Sequence, residues 1–444
     1  MKIKLSHTQI IALGFLLLIA IGTGLLSLPV ATAEGNRAPL LTALFTAVSA
    51  SCVTGLVLQD TATYWSVFGK TVIIVLIQIG GLGVITISTL FFLLLRRKVG
   101  LRQREVLTES INTTAVGDIM RLIKLITIGT ATLELAGTLL LSIRFIPYFG
   151  SFGRGLAYAA FHSVSAFCNA GFDLMGVVEP YSSFTAFSGD WLVNLTLIAL
   201  IVIGGLGFIV WDDLLKNGVR FRRWCLQTRL VLVTSAVLLL GGALLIWLME
   251  QNHTAAGLPA GEQILTSLFG SVTARTAGFN TTDTAAMSDG GKLVTILLMF
   301  VGGSPGSTAG GVKTTTVAVI LVMAASAAAN RSSPSALGRR IPEGVLHKAV
   351  SVVIINLSFA LAGTLVLCGG QGLPLTDVLF ECFSAIGTVG MTTGLTRQLS
   401  TASALTVAVL MYAGRVGSVS FAMALAERRA RPAVTYPTED LTIG

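Results

Sequence analysis

Four short apolar segments, each ending near a glycine, recur along this chain, and each lies between two long apolar stretches. A helix of about a dozen residues is ~18 Å long, which is too short to cross a hydrocarbon core of about 30 Å. The short segments are therefore predicted to enter the membrane and return on the same side, near residues 39–51, 155–167, 262–274 and 375–386. The long stretches are predicted to form eight membrane spans, near residues 8–30, 67–95, 119–145, 189–215, 227–249, 293–328, 346–368 and 401–426.

The composition indicates an all-α integral membrane protein. Of the 444 residues, 53% are apolar and 11% are charged, whereas a soluble domain carries about 25% charged residues. Lys2 and Lys4, followed by an apolar run, also fit a secretory signal peptide. However, the run from Ile10 to Val30 is long enough to span a bilayer. The first segment is interpreted as a retained span, with a cleaved signal as the alternative.

Basic residues cluster in the loops that join successive units, and the net charge is +9. By the positive-inside rule these loops, and with them both termini, are predicted to face the cytoplasm. The clusters lie at span ends without interleaved aromatic residues, which argues against a nucleic-acid partner. They consist of Arg96, Arg97, Lys98, Arg102 and Arg104, of Arg220, Arg222, Arg223 and Arg229, of Arg339 and Arg340, and of Arg428, Arg429 and Arg431.

The four short segments align with one another, because a bulky apolar residue stands ten positions before a glycine in each. Gly55, Gly171, Gly278 and Gly390 are separated by 116, 107 and 112 residues. A regular period of this kind indicates an internal repeat. It divides the chain into four predicted units, at 1–104, 105–225, 226–340 and 341–444.

Four re-entrant segments that end in glycine-containing backbone predict a cation pore. Irregular backbone is tolerated at membrane depth only where it is buried in protein or lines a cavity. Four loops on one axis can replace the hydration shell of an ion with carbonyl oxygens, and the C-terminal ends of the short helices add partial negative charge. A single glycine turn more simply joins two helices, but four evenly spaced copies favour a selectivity filter. The predicted filter residues are Val53, Thr54, Gly55, Asn169, Ala170, Gly171, Thr276, Ala277, Gly278, Thr388, Val389 and Gly390.

These filter stretches, with Arg275 before the third and Phe279 and Asn280 after it, resemble those of the Trk/Ktr/HKT superfamily of potassium transporters. The resemblance extends along essentially the whole chain, whose length is most similar to that of the Ktr membrane subunits. It implies selectivity for potassium, because all four filter glycines are present, whereas a serine at Gly55 would imply a preference for sodium.

The same resemblance implies further properties of the assembly. It implies a homodimer in the bacterial inner membrane and a partner, a cytoplasmic nucleotide-binding regulatory ring of the KtrA type. It also implies that the potassium ion is transported, and it leaves open whether the sodium ion is transported with it by symport.

Glycines recur in the second span of each unit, at 79–83, 203–207, 301–306 and 413–417. They are predicted to lie at one depth below the filter, where they either line a cavity or allow close helix packing. The third copy continues into residues 302–313, which are too rich in glycine and proline for ordinary helix, since these residues cost about 1 and about 3 kcal/mol relative to alanine. This stretch is predicted to be a broken helix whose middle crosses the pore as a gate loop. It is similar to a phosphate-binding loop, but Val312 stands where the lysine belongs.

Arg415 replaces the second glycine of the fourth copy, and a charged residue in the middle of a span marks function by default. Two roles are open for it: a positive barrier to cations, or an anchor that donates hydrogen bonds to the gate loop. The predicted gate residues are Gly302, Gly303, Ser304, Pro305, Gly306, Gly310, Gly311, Lys313 and Arg415.

Other polar residues lie within the apolar segments. Glu134 and Glu381 are either ion ligands, or helix contacts or filter support. His162 is predicted to be structural. Arg275 is predicted to brace the third filter stretch against an acidic neighbour.

The sequence therefore predicts a potassium-translocating, channel-like subunit of a bacterial potassium uptake system. The alternative is a sodium-coupled or sodium-conducting secondary carrier of the same architecture, although carriers usually show two repeats with paired interrupted helices. A receptor or scaffold would leave the repeated glycines without a purpose. An enzyme is disfavoured, because the five cysteines have no metal-ligand spacing and no nucleophile–base pair is apparent.

Overall fold

The structure is a computed structural model that describes residues 7–84, 86–87, 119–330 and 333–417. The predicted ends of the second and last spans lie outside these residues, as do both termini and the basic clusters at 96–104 and 428–431. The described residues are mostly helical. In chain order the helices are α1 His7–Leu26, α2 Leu40–Cys52, α3 Thr61–Tyr64, α4 Val67–Leu82, α5 Ile119–Phe149, α6 Phe152–Phe167, α7 Trp191–Leu206, α8 Phe208–Asn217, α9 Leu226–Glu250, α10 Ala260–Thr273, α11 Asp289–Phe300, α12 Thr314–Ala328, α13 Glu343–Gln371, α14 Leu375–Gly387 and α15 Thr401–Val416.

Four of these helices, α1, α5, α9 and α13, are long and apolar enough to cross a membrane. Helices α7 and α8 add a fifth span if they are counted together, although their axes differ by 94°. Each of the four long helices also presents leucine to its surroundings: Leu17, Leu139, Leu240 and Leu365 are 64%, 65%, 67% and 74% exposed. Apolar side chains so widely exposed on long helices are suited to contact with lipid.

Each unit combines one of these long helices with a short helix and a second helix. The short helices α2, α6, α10 and α14 pack against the long helix of their own unit and against its second helix, which is α4, α7, α11 or α15. Each second helix also packs against the short helix of the next unit, and α15 of the fourth unit returns to α2 of the first. The short and second helices therefore alternate in a closed ring, with the long helices outside it.

A side chain caps the N-terminus of every second helix. Ser66, Asp190, Ser288 and Ser400 each accept a hydrogen bond from a backbone N–H in the first turn. Such caps satisfy amide groups that have no partner within the helix, and they contribute about 1 kcal/mol each. The caps fix the point at which the chain turns from the outer loops into the ring.

Three second helices end earlier than the sequence predicted. The spans near 67–95, 189–215 and 401–426 were expected to be continuous, but α4, α7 and α15 end at a glycine with positive φ. These glycines are Gly83, Gly207 and Gly417, with φ of 89°, 96° and 94°. Glycine adopts this conformation without the strain that a side chain would impose. Hydropathy continues through the break, which is why the apolar pattern does not show it.

The third unit breaks differently, as the sequence predicted. Helix α11 ends at Phe300 and α12 begins at Thr314, so residues 301–313 form a loop within the apolar stretch. The two ends of this 301–313 loop meet, since Val301 and Val312 form a parallel bridge and the N–H of Thr314 donates to the carbonyl of Gly303 at 3.1 Å.

A small hairpin joins the third and fourth units. Strands β1 Ser335–Ala336 and β2 Arg339–Arg340 are antiparallel. Leu337 and Gly338 form the turn, with φ of 51° and 78°. Positive φ at both central residues is typical of the two-residue turns that match strand twist. The turn leaves Arg339 and Arg340 exposed.

Packing of the ring predicts a contrast between two glycines. A Cβ atom on Gly80 would lie within 3.0 Å of the carbonyl of Ser51 at the end of α2. Around a Cβ on Gly241 in α9, the described residues place nothing within 4 Å apart from neighbouring backbone of the same helix. We expect Gly80→Ala to lower stability by about 1–3 kcal/mol, the cost of overpacking a close contact. Gly241→Ala should be neutral or stabilising by up to about 1 kcal/mol. The midpoint of thermal unfolding of the purified protein measures both, and equal effects would contradict the assigned contact.

Candidate functional site

The backbone after each short helix has the same unusual conformation in all four units. The first residue is left-handed, with φ of 57° at Val53, 57° at Asn169, 87° at Thr276 and 52° at Thr388. Two residues later a glycine again has positive φ, namely Gly55, Gly171, Gly278 and Gly390. Left-handed conformations of valine and threonine are strained and persist only where the surroundings hold them. These stretches, 53–55, 169–171, 276–278 and 388–390, are called the glycine loops below.

Hydrogen bonds turn the amide groups of the glycine loops back into the short helices. The N–H of Thr54 donates to the carbonyl of Ser49 at 2.8 Å, and the N–H of Val389 donates to that of Ser384 at the same distance. The hydroxyls of these two serines also accept from Gly55 and Gly390, at 3.0 and 3.1 Å. With the N–H groups used on one side, the carbonyl groups of the loops can serve as ligands on the other.

The two remaining loops are held by a related arrangement. The N–H of Ala170 donates to the carbonyl of Ser165 at 2.8 Å, and the Ser165 hydroxyl donates to the carbonyl of Phe172 at 2.7 Å. In the third unit the hydroxyl of Thr273 donates to the carbonyl of Phe279 at 2.8 Å. A hydroxyl of the short helix therefore supports the glycine loop in every unit.

The four glycine loops contact one another in a closed cycle. A Cβ atom on Gly55 would lie 2.6 Å from the carbonyl oxygen of Ala170, and one on Gly171 would lie 2.7 Å from that of Ala277. The next two contacts are closer still. A Cβ on Gly278 would meet the carbonyl of Val389, and one on Gly390 would meet the carbonyl of Thr54. The sequence-predicted filter residues of all four units are thus brought together around one axis.

Side-chain oxygens without hydrogen-bond partners are buried at the glycine loops. Within the described part of the chain they are Thr54 Oγ1, Asn169 Oδ1, Thr276 Oγ1 and Thr388 Oγ1. Each of these residues is at most 1% exposed. Buried polar atoms are rarely left without a partner unless they serve a purpose such as binding a ligand. Buried oxygen atoms without hydrogen-bond partners suit a dehydrated cation.

The 301–313 loop lies directly against the glycine loops. A Cβ on Gly310 would meet Oγ1 of Thr388, and one on Gly311 would lie 3.0 Å from the carbonyl oxygen of Gly387. The hydroxyl of Thr308 donates to the carbonyl of Phe167, the last residue of α6, at 3.1 Å. The 301–313 loop therefore packs against the fourth glycine loop and against the end of α6.

Carbonyl and amide groups at the break after α7 hold this loop. The N–H of Ser304 donates to the carbonyl of Gly205 at 2.9 Å, and the N–H of Phe208 donates to that of Gly306 at 2.7 Å. The N–H of Thr308 donates to the carbonyl of Gly204 at 3.3 Å. The second unit thus supplies backbone partners for a loop of the third.

Arg415 ties the loop to the first unit. Its guanidinium donates to the carbonyls of Thr308 and Gly80, and to that of Gly81 at 2.9 Å. No acidic residue among those described pairs with it. Gly80 and Gly81 lie in the last turn of α4, where carbonyls lack helical partners and the helix dipole favours a cation. These contacts are those expected of the anchor role.

A cavity of about 760 Å³ lies below the 301–313 loop. Lys313, Lys348 and Arg415 bring positive charge to its wall, and no carboxylate belongs to its lining within the described ranges. The glycines of the second helices divide between the two predicted roles. Gly81, Gly83 and Gly417 line the cavity, and Gly80 and Gly204 approach the carbonyls at the ends of α2 and α6. Gly414 does both, since it lines the cavity and approaches the carbonyl of Ile386 at the end of α14.

Glu134 and Glu381, for which two roles are open, differ in their surroundings. Glu134 accepts from Gln78 at 3.3 Å, which joins α5 to α4. Glu381 is fully buried in α14 and accepts from the hydroxyls of Thr392, at 2.7 Å, and Thr396. Glu381 therefore supports the segment that follows the fourth glycine loop, and Glu134 makes a helix contact.

His162 occupies the position equivalent to Glu381 in the second unit and makes an equivalent contact. Its Nε2 accepts from the N–H of Leu174 at 3.0 Å, and its Nδ1 contacts the carbonyl of Tyr158 at 2.7 Å.

The sequence predicted an acidic neighbour for Arg275, and none is found among the described residues. Nη2 of Arg275 instead donates to the carbonyl of Gly302, in the 301–313 loop, at 3.2 Å.

Two carboxyl groups lie close together in the outer loops. Asp60 caps α3 and also accepts from the N–H of Tyr181 at 3.1 Å. The pKa of Asp173 is raised from 3.8 to about 7, chiefly by burial. The negative charge of Asp60 contributes to this rise, and hydrogen bonds from Met175 and Ser183 oppose it. The second glycine loop is therefore followed by a carboxyl group that titrates near neutral pH.

This shift predicts how stability depends on pH. Because the folded state holds the proton of Asp173 more tightly than the unfolded state does, the protein should lose stability as pH rises from about 4 to about 7. Asp173→Asn lacks this loss, so its thermal unfolding midpoint should rise relative to the wild type between about pH 5 and about pH 8. The exposed Asp283 provides the control, and Asp283→Asn should follow the wild type. A constant difference across this range would refute the assignment.

Comparisons with known proteins identify the family to which the chain belongs. The family model TrkH, described as a cation transport protein, matches residues 6–431. The chain is 38% identical over 448 residues to the potassium/sodium uptake protein NtpJ of Enterococcus hirae, covering 99% of this chain and 98% of that protein. It is 37% identical over 446 residues to the Ktr system potassium uptake protein B of Bacillus subtilis, with coverage of 100% and 98%.

A protein of the same name from Vibrio alginolyticus is 34% identical over 447 residues, with coverage of 100% and 96%. Among solved structures, the potassium transporter TrkH from Vibrio parahaemolyticus superposes with a TM-score of 0.74 over 96% of this chain and 86% of that one. At 18% identity this match shows the fold alone. The family match and these relatives confirm the predicted superfamily and a multi-pass membrane protein. The chain belongs to the TrkH family of cation transport proteins.

Proposed function

We propose that this protein is the potassium-translocating, channel-like subunit of a bacterial potassium uptake system. The observation that carries the proposal is the closed cycle of contacts among the four glycine loops. Such a cycle surrounds an axis with backbone carbonyls and with the unpartnered oxygens of the loops. In this proposal the filter consists of residues 53–55, 169–171, 276–278 and 388–390, and the ion it binds is potassium.

The proposed architecture has eight spans and four re-entrant short helices around one pore. The four long helices supply the first span of each unit. The second span of each unit begins with α4, α7, α11 or α15, and in the third unit it resumes with α12 after the loop. Both termini are proposed to be cytoplasmic.

Potassium is favoured as the transported ion for two reasons. The relatives from Bacillus subtilis and Vibrio alginolyticus are named potassium uptake proteins. In addition, all four glycine loops keep the glycine whose positive φ and close contacts exclude a side chain.

Sodium transport is the second candidate. The relative from Enterococcus hirae is named a potassium/sodium uptake protein. A carrier that couples sodium to potassium, or conducts it, would use the same glycine loops and differ in which ions occupy them.

The 301–313 loop is proposed to be the gate, with Arg415 as its anchor. The loop fills the space between the filter and the cavity of about 760 Å³, so an ion can reach the cavity only if the loop moves. Opening must break the bonds from Arg415 to Thr308 and the bonds to Gly204 and Gly205. Lys313 stays with the loop, since its Nζ donates to the carbonyls of Ala309 at 2.6 Å and Gly310 at 3.4 Å.

The proposed partners follow from the names of the relatives. The Ktr system potassium uptake proteins B and D are named as components of a system. We propose a homodimer of this chain with a cytoplasmic nucleotide-binding ring of the KtrA type, which would act on the gate from the cavity side.

The filter assignment predicts a loss of selectivity in Gly55→Ser. The new Cβ would strain a backbone with φ of 97° and displace the carbonyl of Ala170, 2.6 Å away. We expect the preference for potassium over sodium to fall by about tenfold or more, equivalent to ~1.4 kcal/mol. Rubidium uptake by transport-deficient cells, in competition with potassium or sodium, measures this preference.

Gly35→Ser is the matched control for this experiment. Gly35 also has positive φ, 75°, but among the described residues, apart from Gly35 and its chain neighbours, no atom lies within 4 Å of its Cβ position. Its preference should equal that of the wild type. An unchanged preference in Gly55→Ser would argue against the filter.

The gate assignment predicts faster uptake in Arg415→Ala. Loss of three hydrogen bonds frees the loop, and we expect the uptake rate to rise about tenfold and regulation to weaken. A deletion within 303–311 should act in the same direction.

Arg415→Lys separates the two roles of Arg415, because lysine keeps the charge but loses the planar fork of donors. A rate close to that of Arg415→Ala supports the anchor, and a wild-type rate supports the barrier. Unchanged uptake in both Arg415→Ala and the deletion would eliminate the gate.

A further inference from the structure

The hydroxyl of Thr308 joins the 301–313 loop to the second glycine loop. Thr308 is fully buried, and its Oγ1 donates to the carbonyl of Phe167 at 3.1 Å. The same oxygen accepts from Nδ2 of Asn169 at 2.9 Å. A hydroxyl has a single hydrogen to donate. Since that hydrogen goes to Phe167, Oγ1 can meet Asn169 only as an acceptor.

The direction of these hydrogen bonds determines the orientation of the Asn169 amide. Asn169 is the residue of its unit equivalent to Val53, Thr276 and Thr388, and it is 1% exposed. Because Nδ2 faces Thr308, Oδ1 is the amide atom that is left free of the Thr308 hydroxyl. Oδ1 has no hydrogen-bond partner among the described residues, a property it shares with Oγ1 of Thr276 and of Thr388.

We infer that Thr308 is a specificity-determining residue, which positions the Asn169 amide so that Oδ1 is an oxygen ligand for the ion at the base of the filter. This inference rests on the proposed function and deepens it. The 301–313 loop then acts on which ion is bound as well as on when the ion passes.

A change at Thr308 alters the ligand set without touching the ion. Without the hydroxyl, the carbonyl of Phe167 and Nδ2 of Asn169 both lose their buried partner. The amide is then free to turn, and a turned amide presents N–H donors where Oδ1 stood. Donors repel a cation, so potassium loses one of the three side-chain oxygens at this level, those of Asn169, Thr276 and Thr388.

Thr308→Val tests the inference, because valine matches threonine in shape and lacks the hydroxyl. We expect its preference for potassium over sodium, measured by competition against rubidium uptake, to fall by about tenfold, the size of one unsatisfied buried hydrogen-bonding group. Thr308→Ser keeps the hydroxyl and should restore most of the preference.

Ser307→Ala is the matched control within the same loop. The Ser307 hydroxyl donates to the carbonyl of Ser304 at 2.7 Å, a contact internal to the loop. Its loss should leave the ion preference at the wild-type value, whatever happens to the rate.

A double variant shows whether the two residues act through one bond. In an Asn169→Leu background both amide atoms are absent, so Thr308→Val should cause no further change in preference. Independent, multiplicative effects would overturn the inference. Thr308→Val with an altered rate and a wild-type preference would also overturn it, because the loop would then act only as a gate.

Two further readouts keep the outcomes separate. The thermal unfolding midpoint identifies a variant that fails to fold, and Thr308→Ala, which adds no bulk, then takes the place of Thr308→Val. If the wild type takes up potassium and Gly55→Ser loses preference while the Thr308 variants do not, only the present inference fails. If the wild type shows no potassium uptake, the proposed function fails first.

Discussion

Direct backbone contact among the four glycine loops is the constraint on which the rest of the structure depends. Each loop presents a carbonyl to the glycine of its neighbour at a separation that leaves no space for a Cβ atom. The short helices must therefore end at matching depths. Gly80, Gly204 and Gly414 hold them there, because each lets a second helix touch the carbonyl at the end of a short helix. In the third unit Gly302 faces the carbonyl of Gly310 instead, and this departure makes room for the 301–313 loop.

The breaks in the second helices provide hydrogen-bond acceptors for the two features that differ between units, Arg415 and the 301–313 loop. A helix that ends inside the protein leaves carbonyl groups without intrahelical donors. At the end of α4 these groups accept from Arg415, and at the end of α7 they accept from Ser304 and Thr308. The first unit thus binds Arg415 of the fourth unit, and the second unit binds the 301–313 loop of the third. Backbone carbonyl groups of the nearly symmetric ring of helices thus accept hydrogen bonds both from Arg415 and from the asymmetric 301–313 loop.

Much of this arrangement was predictable from the sequence, because the signals were repeated or chemically costly. The glycines at a period of about 110 residues, the break at 302–313 and the importance of Arg415 all belong to this class. The breaks at Gly83, Gly207 and Gly417 were not predicted, since the apolar pattern continues and one glycine costs only about 1 kcal/mol in a helix. Thr308 was also missed. It is an uncharged residue in a polar loop, and its partner Asn169 is 139 positions away in the chain. The partner of Arg275 was not predictable because it is a backbone carbonyl, and every residue has one whatever its side chain.

The closed ring of short and second helices has a consequence for the connectivity of the chain. Helix α15 supports α2 in the same way that α4 supports α6, α7 supports α10 and α11 supports α14. The contact between the last and first units is therefore equivalent to the contacts between units that are consecutive in sequence. The ring has a direction of support but no intrinsic first member. A polypeptide could begin at any of the four units and follow the same order around the ring, and the ring contacts alone favour none of these four starting points. The loops outside the ring therefore set the starting point that is observed.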